Sequence, residues 1–193
     1  MNYPILSLIV LMAFYAVYLG KLLMQRRQGI RTDQIGRGDK PKRVLRVERI
    51  MKLATCLIIP AELFCILRPG TPLPEPLRML GLALGAVGDA VFALSVFTMR
   101  DSWRAGISPD ENTELVTSGI YSISRNPAFL GFDLVYVGIL LMNFRWVLLA
   151  FTLWAMVMLH LQILQEEAFC ATAFGQPYRQ YRAHVRRYLG RRP

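Results

Sequence analysis

Hydropathy along the chain comes in long blocks, not in the short alternations of a soluble fold. Residues 3–24 read YPILSLIVLMAFYAVYLGKLLM, which at about 1.5 Å per helical residue is long enough to cross a bilayer. No small-residue cleavage pattern follows, and Arg26 and Arg27 do, so this segment is expected to be retained as a span. Residues 50–67 form a second apolar block, with Lys52 placed to snorkel, Pro60 to kink the helix, and Glu62 to face a partner or the far interface. The four prolines of RPGTPLPEP (68–76) exclude continuous helix there and predict a short connection. A third span is predicted over 77–99, where Gly81, Gly85 and Gly88 make a face along which another backbone can approach closely. Asp89 lies near the middle of that span, as a functional candidate or as half of a pair within the bundle. Residues 128–142 and 145–165 form two further apolar runs broken at Asn143-Phe144, which predicts a tight helical hairpin. From Glu166 onward the pattern predicts helix to about Phe174, a turn at Gly175, and an amphipathic surface helix with tyrosine and arginine anchors. The fold expected is therefore all-α: one membrane domain, 1–193, of about five transmembrane helices with a cytoplasmic amphipathic C-terminal helix.

Composition supports lipid as the solvent. The chain is 54% hydrophobic, with a mean hydropathy of +0.34. The net charge of +10 would otherwise suggest nucleic acid, but its distribution accounts for it. With the N-terminus outside, the segments 25–49, 100–128 and 166–193 carry nine, three and six Lys or Arg, whereas the opposite connections hold only Arg68, Arg78 and Arg145. This asymmetry predicts a multi-pass protein with a cytoplasmic C-terminus, in contact with membrane lipids and not with nucleic acid. The long basic loop 25–49 is expected to be exposed at the membrane surface, becoming helical near residues 44–50. Cys56, Cys65 and Cys170 show no metal-ligand or CxxC spacing and are expected to be buried as small apolar residues, and no metal site is expected.

Chemistry concentrates in two places. In TSGIYSISRNPAFLG (117–131), Pro127 is suited to the first turn of a helix and Asn126 to its cap, leaving unpaired amides at the positive end of the helix dipole. Such a start suits an anionic ligand group. The second place is the Glu166/Glu167 pair, which the hairpin returns to the same side of the membrane. Two adjacent carboxylates buried there need cations or donors, supplied by a cationic ligand or by Arg182 or Arg186. Trp103 and Arg104 are placed to line a substrate mouth or, for Trp103, the bilayer interface. His160 is a candidate base or an interfacial hydrogen-bonding group.

The segment LVTSGIYSISRNPAFLG (115–131), followed by a hairpin and EEAFCATAFGQPYRQY (166–181), resembles the membrane methyltransferases that include isoprenylcysteine carboxyl methyltransferase and the phospholipid methyltransferases. The resemblance covers roughly residues 77–190. It implies an enzyme using S-adenosyl-L-methionine, bound within residues 100–190, and a lipophilic or membrane-partitioned acceptor. The implied cofactor-binding residues are Leu115, Val116, Gly119, Tyr121, Arg125, Asn126, Pro127, Ala128, Phe129 and Glu166. Glu166, Glu167 and Gln162 are implied as catalytic. Asn126 stands where the family usually has His, Phe129 where it has Tyr, and Gln162 where the carboxyl methyltransferases have an Arg that holds the substrate. Gln162 lies one helical turn before Glu166 and brings no positive charge, which argues against a prenylated cysteine carboxylate as acceptor. A phospholipid amine, a thiol, and a non-catalytic membrane scaffold are the alternatives. The oligomeric state is left open.

Overall fold

The structure is a computed structural model describing residues 1–68, 70–106 and 114–192. The proline-rich connection and the polar loop before Thr117 thus lie partly outside the described residues. Among the described residues six α-helices follow one another: α1 (Tyr3–Arg27), α2 (Lys42–Leu67), α3 (Glu75–Met99), α4 (Pro127–Met142), α5 (Trp146–Ala173) and α6 (Gly175–His184). Four of them, α1, α2, α3 and α5, are long and apolar enough to cross a membrane. At 16 residues, α4 reaches only about 24 Å, shorter than a full hydrocarbon core, and it is wrapped by its neighbours. The result is a helical membrane bundle. Its basic end collects residues 28–41, 100–106, 114–126 and 174–192, and its other end holds residues 70–74 and 143–145.

Close packing of α4 on α3 organises the bundle. Gly81 and Gly88 of α3 meet Gly131, Val135 and Gly138 of α4 so tightly that a Cβ on Gly138 would lie 2.6 Å from the Gly85 nitrogen and 2.7 Å from the Gly81 oxygen. The glycine face expected from the sequence is thus consumed within the chain by α4, with Gly85 also against Val10 of α1. Beyond this seam, Phe14, Phe92 and Phe132 pack as a cluster of tilted and edge-on rings, Phe14 lying 4.4 Å from Phe92 and 4.6 Å from Phe132 between ring centroids. A second core joins Met51, Ala54 and Ile58 of α2 to Tyr136 of α4 and Ala155, Met158 and Leu159 of α5.

Three expectations are refined or corrected. First, α4 and α5 form the expected hairpin about the short turn 143–145, but each packs chiefly on another helix, α4 on α3 and α5 on α2. The glycines permit the closer α3–α4 contact, whereas the bulky apolar face of α5 interdigitates with that of α2. Second, the loop 25–49 keeps eight of its nine Lys and Arg residues exposed, as expected, but is anchored to the fold by a few buried polar groups. Lys40 and Glu48 form a buried ion pair at 2.9 Å, Glu48 also accepts from the Gly36 amide at 2.7 Å, and Thr32 donates to Gln25 at 2.7 Å. A bridge between Asp33 and Ala105 lays this segment over residues 103–106. Third, only Cys65 is buried; Cys56 is exposed and Cys170 is half-buried. Lys52 reaches Asp33 at 2.8 Å. Both carboxylate oxygens of Glu62 and Oδ1 of Asp89 are buried, with no hydrogen-bond partner among the described residues.

Candidate functional site

The site forms where α4 begins and α5 ends. The chain reaches Pro127 through a 3-10 turn, Gly119–Ser122, in which Gly119 takes φ +59°, a left-handed conformation that favours glycine. Pro127 occupies the first turn of α4 as expected, but Asn126 makes no side-chain cap. Its Nδ2 donates instead to Glu167 Oε1 at 3.0 Å and to the Arg187 carbonyl at 3.2 Å. A carboxylate on the neighbouring helix draws the amide away from the α4 amides that a capping oxygen would serve.

Glu167 is the centre of that arrangement. Arg125 Nε and Nη2 donate to its Oε1 at 3.1 and 2.8 Å, and Arg187 Nη2 donates to its Oε2 at 3.0 Å. The same Arg125 donates through Nη1 to the carbonyls of Val185 and Arg182 at 2.9 and 3.1 Å. Hydrogen bonding to Glu167 raises the Arg187 guanidinium above its usual pKa. One carboxylate therefore ties α5 to the start of α4 and to the tail, and its cations are Arg125 and Arg187, not Arg182 or Arg186. The tail turns back on itself after α6: the Arg186 amide donates to the Gly190 carbonyl at 2.8 Å, and the Gly190 amide to the Ile123 carbonyl at 2.7 Å. Tyr181 closes the same joint, its hydroxyl donating to the Tyr121 carbonyl at 2.6 Å.

Glu166 points elsewhere. Its one hydrogen bond among the described residues comes from Gln162 Nε2 at 3.0 Å, and Lys40 and Glu48 lie within electrostatic reach. Two cavities meet at this carboxylate. One, of about 170 Å³, lies between the start of α4, the end of α5 and α6, and mixes Arg125, Asn126 and Glu167 with Tyr121, Phe129, Tyr178 and Tyr181. Burial raises the pKa of the Tyr121, Tyr178 and Tyr181 phenols, keeping them neutral. The other, of about 360 Å³, is largely apolar and runs between α1, α2 and α4, past Tyr15, Tyr18, Thr55, Cys56, Ile59 and Phe132. Trp103, Arg104, Gly106, Ala128, Phe129 and Glu166 line both.

Of the sequence-predicted residues, Leu115, Val116, Tyr121, Arg125, Asn126, Ala128, Phe129, Glu166 and Glu167 line the first cavity. Gln162 lines the second, fully buried, with no hydrogen-bond partner on its Oε1 among the described residues. Gly119 and Pro127 line neither; Gly119 abuts Thr98, and Pro127 shapes the helix start. Trp103 is buried in the shared wall, not placed at an interface. His160 stands outside both cavities, where its Nδ1 meets the Tyr188 hydroxyl at 2.5 Å. Sequence reasoning missed Phe169 and Cys170, which lie one turn beyond Glu166, and Ile35, brought in by the folded basic loop. The helical spacing of the first two from Glu166 was a usable signal.

Comparison with known proteins bears on this geometry. The profile of the phospholipid methyltransferase family matches residues 77–177, a stretch that begins in α3 and ends in α6 and holds both halves of the site. No curated protein matches the chain.

Proposed function

The chain belongs to the phospholipid methyltransferase family, and from that premise we propose that it is an S-adenosyl-L-methionine-dependent membrane methyltransferase acting on a lipophilic acceptor. The observation that carries this reading is the meeting of a mixed polar-aromatic cavity with an apolar, membrane-depth cavity at one carboxylate, Glu166. The first suits the cofactor. Glu166 offers a buried anion for its ammonium, Arg104 a cation for its carboxylate, and Tyr121 and Phe129 aromatic faces for its adenine. When bound, S-adenosyl-L-methionine supplies a methyl group already activated on a sulfonium.

The rest of the task is positional. Phe129 and Ala128 form the wall between the cavities, so their bulk sets how nearly an acceptor reaches the donor side. The Glu167–Arg125–Arg187 knot fixes that wall against α5, and the basic loop 28–41 covers the region from the water side, limiting hydrolysis. Gln162 addresses the acceptor. Its Nε2 is committed to Glu166, which leaves the Oε1 as the buried group directed to the incoming head. A lone carbonyl oxygen favours an N–H, S–H or O–H donor and disfavours a carboxylate. An amine or thiol on an apolar body thus fits this site better than a prenylcysteine acid. The concentration of Lys and Arg at the site end supports the orientation in which the site and the C-terminus are cytoplasmic.

The test is calorimetry of the full chain in lipid nanodiscs with S-adenosyl-L-methionine, paired with transfer of labelled methyl to total lipid and thiol fractions. Saturable binding that Glu166→Ala abolishes, together with a labelled lipophilic product, is expected. Failure of the wild type to bind the cofactor would sink the proposal.

A further inference from the structure

We infer that the hairpin following α6 is a binding site for the headgroup of an anionic membrane lipid. This hairpin, closed by pairing of Val185 with Arg191, carries a groove lined by Ala183, Arg186, Arg187, Tyr188, Leu189 and Arg192. Arg187 is engaged with Glu167, but the guanidinium groups of Arg186 and Arg192 have no hydrogen-bond or ion-pair partner among the described residues. Both residues are exposed, and their charges face a common concavity. Such a pair suits a phosphate, which guanidinium forks bind with two parallel hydrogen bonds.

Depth selects a lipid phosphate over a free one. Tyr188 lies against His160, the rings 6.0 Å apart and nearly parallel. His160 sits on α5 among Val157, Leu161 and Leu164, apolar side chains that face outward, so the hairpin tip is held beside the lipid-facing surface of a spanning helix. Leu189, at that tip, is 63% exposed and lies between the two free arginines in the groove. An apolar side chain flanked by cations matches the layer where acyl chains give way to phosphates. A zwitterionic headgroup would offer the same phosphate with its charge cancelled, so the preference is for a net anionic lipid.

The site also has a structural consequence. The Gly190 amide and the carbonyls of Val185, Arg186 and Arg187 are bonded to residues 123–126. A lipid that orders the hairpin therefore orders the start of α4, linking leaflet charge to the cavity beside it.

The test is native mass spectrometry of the full chain released from nanodiscs of phosphatidylcholine mixed with phosphatidylglycerol. Wild type is expected to retain phosphatidylglycerol selectively, and Arg186→Ala/Arg192→Ala to lose that preference by roughly 25-fold, at about fivefold for each arginine. Leu189→Ser, which alters one exposed side chain, is expected to weaken retention as well and serves should the double variant misfold. Equal retention of the two lipids by wild type, or an unchanged preference in the variants, would overturn the inference. So would displacement of the lipid by inorganic phosphate at equal concentration, since the site would then be one for a free anion. Hydrogen exchange at the Arg186, Gly190 and Arg192 amides is expected to slow when phosphatidylglycerol is present.

Discussion

Glu166 and Glu167 are consecutive in the chain but serve different ends: Glu167 is saturated by Arg125, Arg187 and Asn126, while Glu166 receives a single hydrogen bond among the described residues, from Gln162, and lines two cavities. Successive helical residues are rotated by about 100°, which is enough to make one a strut and leave the other available to ligand. Replacement should separate the two. Glu167→Gln leaves two guanidinium groups without their anion and is expected to cost about 3–5 kcal/mol, seen as a lowered Tm and faster proteolysis after α6. Glu166→Gln is expected to leave Tm unchanged or raised, since it removes a buried charge, while cofactor binding falls. Equal Tm losses in both variants would refute the division.

The α3–α4 seam gives a second prediction. Gly138→Ala drives a Cβ into backbone atoms 2.6–2.7 Å away, which no side-chain rotation relieves, and is expected to cost about 3 kcal/mol or more in thermal melts. Gly20→Ala is the control. Its Cβ meets nothing within 4 Å, so it is expected to be neutral or to stabilise α1 by up to about 1 kcal/mol.

Cys56 offers access to the apolar cavity. It is exposed and lies on the cavity lining, whereas Cys65 is buried in the core. Alkylation by a bulky apolar maleimide is expected to leave cofactor binding intact and to slow methyl transfer on the order of a hundredfold by displacing the acceptor. A Cys56→Ser protein given the same treatment should keep its rate, and loss of rate there would place the reactive thiol elsewhere.

Alkali gives a fourth prediction. Burial raises the pKa of Tyr121, Tyr178 and Tyr181 above the ordinary value of 10.0, so folding favours their neutral form. The unfolded chain loses these protons first, and the stability they contribute is complete below about pH 10 and declines as pH rises beyond it. Melts between pH 8 and pH 11 should show Tm flat and then falling, with tyrosinate absorbance of the folded protein lagging behind that of the unfolded chain.

Much of the architecture was legible because lipid leaves few options: long apolar blocks must be helices, and breaks between them must be ends. The register of packing was less visible. Hydropathy located 128–142 and 145–165 but not their partners, because Gly131 and Gly138 read as scattered small residues until aligned with Gly81, Gly85 and Gly88. For the site, the motif placed Tyr121, Asn126, Phe129 and Glu166 in one region. It did not divide the two glutamates, because that division depends on Arg187, far along a tail whose hairpin has no hydrophobic period. The buried Lys40–Glu48 pair was hidden for a related reason: nine cations in 25 residues look like a solvated surface, and only the fold shows which one is withdrawn.

The anchoring of residues 123–126 by the hairpin carries an implication for biogenesis. The carbonyl of Val185 that Arg125 holds lies 60 positions downstream, and the apolar helices α4 and α5 and the short α6 must be made before it becomes available. Until the end of α5 is made that guanidinium lacks its anion, Glu167, and until the tail follows it lacks its carbonyl acceptors at residues 182 and 185. A ribosome paused within α5 would present a bundle already threaded through the bilayer yet unable to shape its chamber, and a fusion partner crowding the distal hairpin would hold the finished protein in the same unripe condition.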